Sequence, residues 1–373
     1  MKKSKTFFAC AMLAALASCS NDHVLSQQSP TPSDPDVINI VAASSKPVTR
    51  AVENGTNLQN TQFATGEKIN VYLGENVTSS TTSYDLYRYK VTNTAPSGGS
   101  GKVLELNTTD YSTQTAPHYP ITGNGMDAYA LYPALGSSES AYEITDQTRT
   151  FSVAENQKDD ADYRKSDLMF GTNNWDTDNN GAPFSSFSGT KKPKPVNLYF
   201  KHLLSKIIVK LLPGEGMSDA TLKGATIKLK NTSIKANITQ IENPGGITFS
   251  ADNSGSEIKD ITLTDNYAGS ESTFSSNTYS GCAGIIIPQY ITVPTSDPQK
   301  PFIEITLSPS NAKYVYNIAD SDGNADSKME FKSGYSYTYT ITLSAGDVIV
   351  VSTEIKNWDN TNISGDANLQ PAS

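Results

Sequence analysis

Side chains that could carry acid–base or nucleophilic chemistry are few in this sequence and poorly placed for it. Of its three histidines, His118 and His202 lie far apart in the body of the chain, and neither belongs to a metal-binding or catalytic spacing. The pair Asp159–Asp160 would need apolar surroundings to raise a carboxyl pKa towards neutrality. It lies instead in the charged run KDDADYRK, which predicts a solvated segment. We therefore predict a protein that is not an enzyme and that needs no cofactor.

Two acidic loops follow the spacing of the first half of a calcium-binding loop. They comprise Asp176, Asp178, Asn180 and Gly181 in the first loop, and Asp320, Asp322 and Asn324 in the second. Calcium takes about six to eight oxygen ligands, and such a loop ends in a bidentate glutamate at its twelfth position. The twelfth positions are Phe187 and Phe331. The pattern favours turn-forming Asp and Asn over a metal site, with calcium binding as the open alternative.

The N-terminus has the charge and hydropathy pattern of a signal peptide. Three lysines precede the apolar stretch Thr6–Leu16, which is too short for a membrane span of about 20 residues. The Leu-Ala-Ser run before Cys19 resembles the lipobox of bacterial lipoproteins, in which the cysteine thiolate accepts the lipid. We predict a signal peptide over 1–18 and acyl chains, such as palmitate, on Cys19. The alternative is an ordinary signal peptide that happens to contain a cysteine.

Composition narrows the remaining classes of protein. The 373-residue chain carries 38 acidic against 29 basic residues, a formal net charge of −9, so nucleic acid would be repelled. Three cysteines are too few for a disulfide-stapled scaffold, and Cys282, among apolar neighbours, predicts a small core residue. Abundant Tyr, Ser, Thr and Asn favour strands and turns over helices. We predict an acidic, secreted protein that binds no nucleic acid.

Hydrophobic alternation with a period of two is the strongest local signal. Tyr335, Tyr337 and Tyr339 alternate with hydroxyl-bearing residues, and turn-forming clusters recur between runs of this kind. No segment of about a dozen residues shows a helical period. The sequence therefore predicts an all-β protein built of antiparallel β-sandwiches. A polar stretch rich in Gly and Pro near 172–195 predicts a boundary between an N-terminal sandwich over 51–193 and a C-terminal sandwich over 194–373.

Several short motifs, taken in order, give the sequence a resemblance to a known family. They are Thr49-Arg50-Ala51, FATGEKINVYL (63–73), AYALYP (128–133), SDLMFG (166–171), LYFKHLLSKIIVKL (198–211), FKSGYSYTYTITL (331–343) and EIKNW (354–358). Together with Cys19 they resemble the fimbrillin (major/minor fimbrillin-like) family of type V pilus subunits. The resemblance covers nearly the whole chain.

That resemblance implies two transthyretin-like antiparallel β-sandwich domains in tandem and a structural role that supports adhesion. It implies a precursor that reaches the cell outer membrane as a lipoprotein and ends in an extracellular fimbrium. An arginine-specific processing protease would cut after an arginine, and donor-strand exchange would then join the subunits. The implied partners are other pilus subunits, that protease, and host or bacterial surface receptors.

Residues 36–44 (DVINIVAAS) support such processing independently. They follow a polar tether that begins at Cys19, and they form a strand candidate with apolar side chains to fill a core. These side chains are Val37, Ile38, Ile40 and Val41. A cut between Arg50 and Ala51 would free 19–50, lipid and strand together, and leave an apolar slot for another strand. The alternative is that Arg50 is a surface residue of an uncut tether.

The C-terminal end of the chain leaves two roles open. Its last apolar run is either a donor strand or the final strand of the second sandwich. The residues concerned are Val348, Val350, Ile355 and Trp358. The tail after Trp358 is too polar to fill a groove well, whereas a shaft subunit should carry an apolar extension. Shaft and tip subunits therefore remain alternatives.

Two other classes of function stay open as rivals. A surface glycan-binding lipoprotein of a polysaccharide-uptake system would need exposed, coplanar rings, for which Tyr84, Tyr87 and Tyr89 are the candidates. A hydrolase would need two carboxylates about 5–10 Å apart in a cleft.

Overall fold

The computed structural model describes ten stretches of the chain. They are 36–44, 63–75, 84–93, 102–134, 148–172, 196–239, 248–263, 282–292, 299–319 and 328–358. Their strands are β1 (Ile40–Ser44), β2 (Lys68–Glu75), β3 (Tyr84–Val91), β4 (Lys102–Leu106), β5 (Met126–Tyr132), β6 (Thr148–Ser152), β7 (Met169–Thr172), β8 (Val196–His202), β9 (Ser205–Pro213), β10 (Thr226–Ser233), β11 (Lys235–Thr239), β12 (Thr248–Ala251), β13 (Ile258–Thr262), β14 (Cys282–Ile286), β15 (Gln289–Thr292), β16 (Gln299–Thr306), β17 (Lys313–Ala319), β18 (Lys328–Phe331), β19 (Tyr335–Ser344) and β20 (Asp347–Asn357).

The prediction of an all-β protein is confirmed. The described residues contain only two short helices, α1 (Asp160–Lys165) and α2 (Asp219–Leu222). Helix α1 begins directly after Asp159, inside the charged run that was expected to be solvated. Helices of six and four residues complete fewer than two turns, so they leave no helical period in the sequence. Within the described ranges no helix is long and apolar enough to cross a membrane.

Seven strands form a closed sheet in the order β1-β4-β3-β2-β5-β7-β8, and β8 returns to β1. Neighbouring strands are antiparallel except at the closing pair, where β1 runs parallel to β8. Apolar side chains from all seven strands form one buried cluster, which we call the inner core. The closed sheet therefore encloses a core to which β1 contributes.

The second half of the chain forms a sandwich of two four-stranded sheets. One sheet has the order β13-β10-β16-β17 and the other β14-β9-β19-β20, with β9 parallel to β19. Ile227 and Ile305 of the first sheet share a buried cluster with Ile207 and Tyr339 of the second, which we call the sandwich core. Strands β12-β11-β6 and β15-β18 form two smaller sheets.

Strand β5 explains how the closed sheet joins the sandwich. All of its residues are buried, because its two faces contact different cores. Ala128 and Ala130 point into the inner core, whereas Tyr129 and Leu131 belong to the sandwich core. On that outer face Tyr129 stacks on Tyr72, with ring centroids 4.6 Å apart and an interplanar angle of 12°.

Strand pairing crosses the predicted domain boundary in both directions. Strand β8, which follows residue 194, pairs with β7 and β1 of the closed sheet. Strand β6, which precedes residue 194, pairs with β11. All described residues belong to one compact unit. The division into 51–193 and 194–373 stays a prediction.

Candidate functional site

Residues 36–44 pair with β8 on one side and with β4 and residues 117–119 on the other. Strand β1 pairs in parallel with β8 from Ile40 opposite Val196 to Ser44 opposite Phe200, and Val41 lies opposite Val103 of β4. The residues before β1 extend the pairing, because Ile38 N–H donates to the Pro117 carbonyl at 2.9 Å. Tyr119 N–H donates to the Asp36 carbonyl at 2.9 Å, and Val37 forms a bridge with His118.

The side chains of this segment divide between two faces. Ile38, Ile40 and Ala42 belong to the inner core, and each is at most 2% exposed. Asn39, between them, is exposed. Val41 is buried as well but lies outside the inner core, and Val37 is half-buried. Of the four residues predicted to fill a core, the structure places two in the inner core and a third on the opposite buried face.

An aromatic cluster lies at the end of the inner core that β8 lines. The ring of Phe63 meets Tyr132 edge-on at 5.0 Å and Phe200 edge-on at 4.9 Å. A Cβ on Gly171 would lie 2.8 Å from the Phe200 ring, so this glycine permits a close approach. These residues come from four of the separate motifs, FATGEKINVYL, AYALYP, SDLMFG and LYFKHLLSKIIVKL. The sequence did not indicate that the four motifs meet beside β1.

Glu67 fixes the rim of this cluster. Its carboxylate accepts hydrogen bonds from Ala64 N–H at 2.7 Å and from the Tyr132 hydroxyl at 2.9 Å, and Arg164 approaches it at 3.4 Å. Burial raises the pKa of the Glu67 carboxyl, although its hydrogen bonds and the Arg164 charge oppose that shift. These contacts connect the start of β2, the end of β5 and helix α1, and none of them involves β1.

The other predicted N-terminal site residues lie outside the described residues. This holds for Cys19, Arg50 and Ala51. The two acidic loops, 176–181 and 320–324, lie outside the described residues as well. Arg50 belongs to 45–62, the stretch that connects β1 to the next described residue, Phe63. In the described ranges no three His, Cys, Asp or Glu side chains group as metal ligands.

The predicted C-terminal strand residues lie in or directly after β20, at the edge of the sandwich. Val348 and Val350 lie in the part of β20 that pairs with the end of β19, and the ladder shifts register between Thr340 and Ile341. Ile355 is half-buried against the sandwich core. Trp358 follows β20, is buried, and donates its backbone N–H to the Gly334 carbonyl at 2.7 Å.

Trp358 packs in a cluster of charged and aromatic side chains that sequence analysis missed. Its ring stacks on His202, and the Lys206 ammonium lies 5.2 Å from the ring centroid. His202 Nδ1 lies 2.8 Å from an Asp167 carboxylate oxygen. Three motifs, SDLMFG, LYFKHLLSKIIVKL and EIKNW, supply these four residues, but nothing in their spacing indicates the contact.

The structure does not favour the glycan-binding rival. Tyr89 is buried in the inner core, Tyr87 packs against the same core, and Tyr84 packs against the sandwich core. The three rings therefore divide between two faces of β3 and form no shared exposed platform.

A polar groove of about 490 Å³ lies where β10 and β13 meet the 155–156 segment. Glu155 and Asp260 line it together with Lys228 and Lys259, and Asp260 is ion-paired with Lys230. Mixed charge in an open groove gives no specific indication of hydrolytic chemistry.

Comparisons with known proteins agree with this architecture. A family model described as Fimbrillin-like matches residues 49–358. A candidate cell adhesion protein from Bacteroides uniformis has a similar solved structure, with a TM-score of 0.54, 19% identity, and coverage of 88% of this chain and 100% of that one. A second one, from Bacteroides ovatus, has a TM-score of 0.55, 15% identity, and coverage of 87% and 98%. At these identities the likeness is one of fold. No curated protein matches the chain.

Proposed function

The chain belongs to the fimbrillin-like family, and from this premise we propose that it is a non-enzymatic structural subunit of a pilus. In this proposal Cys19 carries the lipid that holds the precursor at the outer membrane. An arginine-specific protease cuts after Arg50, and a strand of a neighbouring subunit replaces residues 36–44. The product is an extracellular fimbrium whose surfaces support adhesion to host or bacterial receptors.

The position of β1 is the observation that carries the proposal. The strand is a full member of the closed sheet, yet on its C-terminal side it is joined to the rest of the fold only through 45–62, which contains Arg50. The family match begins at residue 49, so β1 precedes the region shared with the family. A cut after Arg50 would leave β1 attached through non-covalent contacts alone.

Arginine placement favours Arg50 as the processing site. The chain contains four arginines, and the other three are Arg88 in β3, Arg149 in β6 and Arg164 in α1. A protease needs an extended, accessible segment, which a paired strand or a helix does not offer. Arg50 belongs to 45–62, outside the described residues, and we propose that this segment is the accessible one.

Energetics make exchange more favourable than simple loss of the strand. Burial of a large aliphatic side chain contributes about 1.5–3 kcal/mol, and Ile38, Ile40 and Val41 are each at most 2% exposed. Apolar burial therefore holds the segment by roughly 5–9 kcal/mol, and backbone hydrogen bonds add to this. An empty groove would expose the same surface and two strand edges to water. We expect the cut segment to stay until another strand enters.

The donated strand in this proposal is β20. It begins Asp347-Val348-Ile349, and the segment that fills the groove begins Asp36-Val37-Ile38. It lies at a sheet edge, and among the described strands β19 alone pairs with it. To reach another subunit β20 must leave β19 and withdraw Trp358 from His202. A tip subunit would instead accept a strand and keep β20 in place.

N-terminal sequencing of the protein in purified fibres tests the proposal. The fibre form should begin at Ala51, and a start at Cys19 would refute processing at this site. Arg50→Ala should block assembly while the folded lipoprotein stays at the membrane. Lys46→Ala, which removes a neighbouring positive charge from the same segment, serves as the matched control and should assemble normally.

A further inference from the structure

The loop that ends at β5 presents an apolar side chain to solvent. Ile121, between Pro120 and Thr122, is fully exposed. The other large hydrophobic residues exposed in the described part of the chain are Tyr290 and Val315, which lie in strands. Ile121 therefore contributes no burial to the stability of the fold, whereas a complex that covered it would gain that burial.

Hydrogen bonds connect this loop to Glu75 at the end of β2. The Glu75 carboxylate accepts from the Thr122 hydroxyl and from the Asn124 side-chain amide, the latter at 2.7 Å. Gly123 N–H donates to the Pro120 carbonyl at 3.1 Å, and Gly123 has a φ of +72°, which glycine adopts without strain. Ile121 is therefore presented on a preorganised turn, which lowers the entropy lost on binding.

The turn lies beside one end of the groove. Tyr119 N–H bonds to the Asp36 carbonyl, so Asp36 marks the end of the groove nearest to the turn. Ile121 follows Tyr119 by two residues, a backbone path of about 7 Å. Another strand could replace residues 36–44 and run in the same direction. The residues that precede that strand would then leave the groove next to Ile121.

We propose that Ile121 is a contact between subunits and packs on the body of a second copy of this chain whose β20 fills the groove. This inference rests on the proposed function. All other described strands of the donating copy precede β20, so the folded body that they form must leave the groove at the Asp36 end. The shared Asp-Val-Ile sequence places Asp347 of the donating copy where Asp36 was.

The residues just before Asp347 supply the matching surface. The turn Ala345–Gly346 is exposed, and Ala345 N–H donates to the carbonyl of Glu215, which is also exposed. Ala345 and the half-buried Met217 nearby give Ile121 an apolar contact, and Glu215 gives that contact a negative rim.

Self-association of the mature chain (19–373), cut after Arg50, tests this contact. Sedimentation would compare the unchanged chain with Ile121→Asp and Ile121→Lys. We expect Ile121→Asp to weaken association about tenfold to a hundredfold, the equivalent of one buried isoleucine. Ile121→Lys should weaken it less, because its charge is opposite to that of Glu215. Since Ile121 is fully exposed, neither change should affect folding.

A labelled synthetic peptide of residues 36–44 probes the groove separately. All three cut chains should take up this peptide equally, because Ile121 lies outside the groove. Equal association of Ile121→Asp and the unchanged chain would overturn the contact. If the unchanged chain took up the peptide but did not associate with itself, the claim that a second copy occupies the groove would be wrong. If no cut chain took up the peptide, the proposed function itself would fail, so the two failures can be told apart.

Discussion

The indole ring of Trp358 stacks on the imidazole ring of His202, with centroids 3.8 Å apart and an interplanar angle of 3°. His202 is the last residue of β8, which pairs with β1, and Trp358 directly follows β20. The stack therefore connects the residue that follows β20 to the strand that forms one wall of the groove.

Replacement of Trp358 by alanine should destabilise the protein by about 3–5 kcal/mol, because it removes a buried ring and leaves a cavity. Equilibrium unfolding in urea, with the lipid-free mature chain, would measure the change. Trp358→Phe keeps a stacked ring and should lose clearly less. Equal stability of the alanine variant and the unchanged chain would mean that the end of β20 is not held as described.

Two glutamine side chains each bond both backbone groups of one residue; they differ in burial, and Gln157 also donates to the Ala154 carbonyl at 3.1 Å. The Gln157 amide accepts from Ile285 N–H at 2.8 Å and donates to the Ile285 carbonyl at 2.8 Å, fully buried. The Gln114 amide makes the same pair of bonds to Arg88, at 2.6 and 3.0 Å, in a half-buried position. The pair provides a matched test of what burial adds.

Gln157→Leu should cost about 2–5 kcal/mol of unfolding free energy, since two buried backbone groups lose their partners. Gln114→Leu should cost about 1 kcal/mol or less, because water can replace the amide there. Chemical unfolding of both variants side by side would show the difference. Similar losses at the two positions would contradict the burial argument.

Tyr337 should make stability depend on alkaline pH. Burial raises its pKa from 10.0 to about 12, and its hydroxyl accepts from Lys332 N–H at 2.7 Å. A phenol whose folded pKa exceeds its unfolded pKa contributes stability below pH 10 that is lost as pH rises through about 12.

The unchanged chain should therefore be more stable than Tyr337→Phe near pH 8, and this advantage should shrink between pH 10 and about 12. Unfolding titrations of both proteins across that range provide the measurement. The other buried tyrosines are common to both proteins, so their effects cancel. A difference that stayed constant with pH would refute the assignment to Tyr337.

Limited proteolysis should separate Arg50 from the other arginines. An arginine-specific protease acting on the folded mature chain should cut after Arg50 well before Arg88, Arg149 or Arg164, which lie in β3, β6 and α1. Intact-mass analysis of the digest would identify the fragments. Early cleavage at any of the three other sites would contradict the accessibility argument.

Local alternation in the sequence predicted the strands well where one face is buried. In β19 the buried residues are Tyr337, Tyr339, Ile341 and Leu343, every second residue, as the period of two requires. In contrast, β5 is buried on both faces, so its residues do not alternate between buried and exposed positions. The all-β class and the family could therefore be recognised from sequence patterns.

Contacts between distant parts of the chain could not be predicted in this way. Closure of the first sheet depends on Ile40 pairing with Val196, and the clamp of Gln157 depends on Ile285. In both pairs the two residues are far apart in sequence, and no local pattern around either residue indicates its partner. The apolar character of residues 36–44 indicated a buried strand, but no local pattern indicated which strands would flank it.

The most direct test of strand exchange is to follow residues 19–50 by mass spectrometry during assembly. After the cut at Arg50, native spectra of single subunits should show this fragment still bound. Spectra of dissociated fibres should show chains that begin at Ala51 and lack the fragment. Fibres that retain residues 19–50 in stoichiometric amount would contradict the account, because β1 would then still occupy the groove.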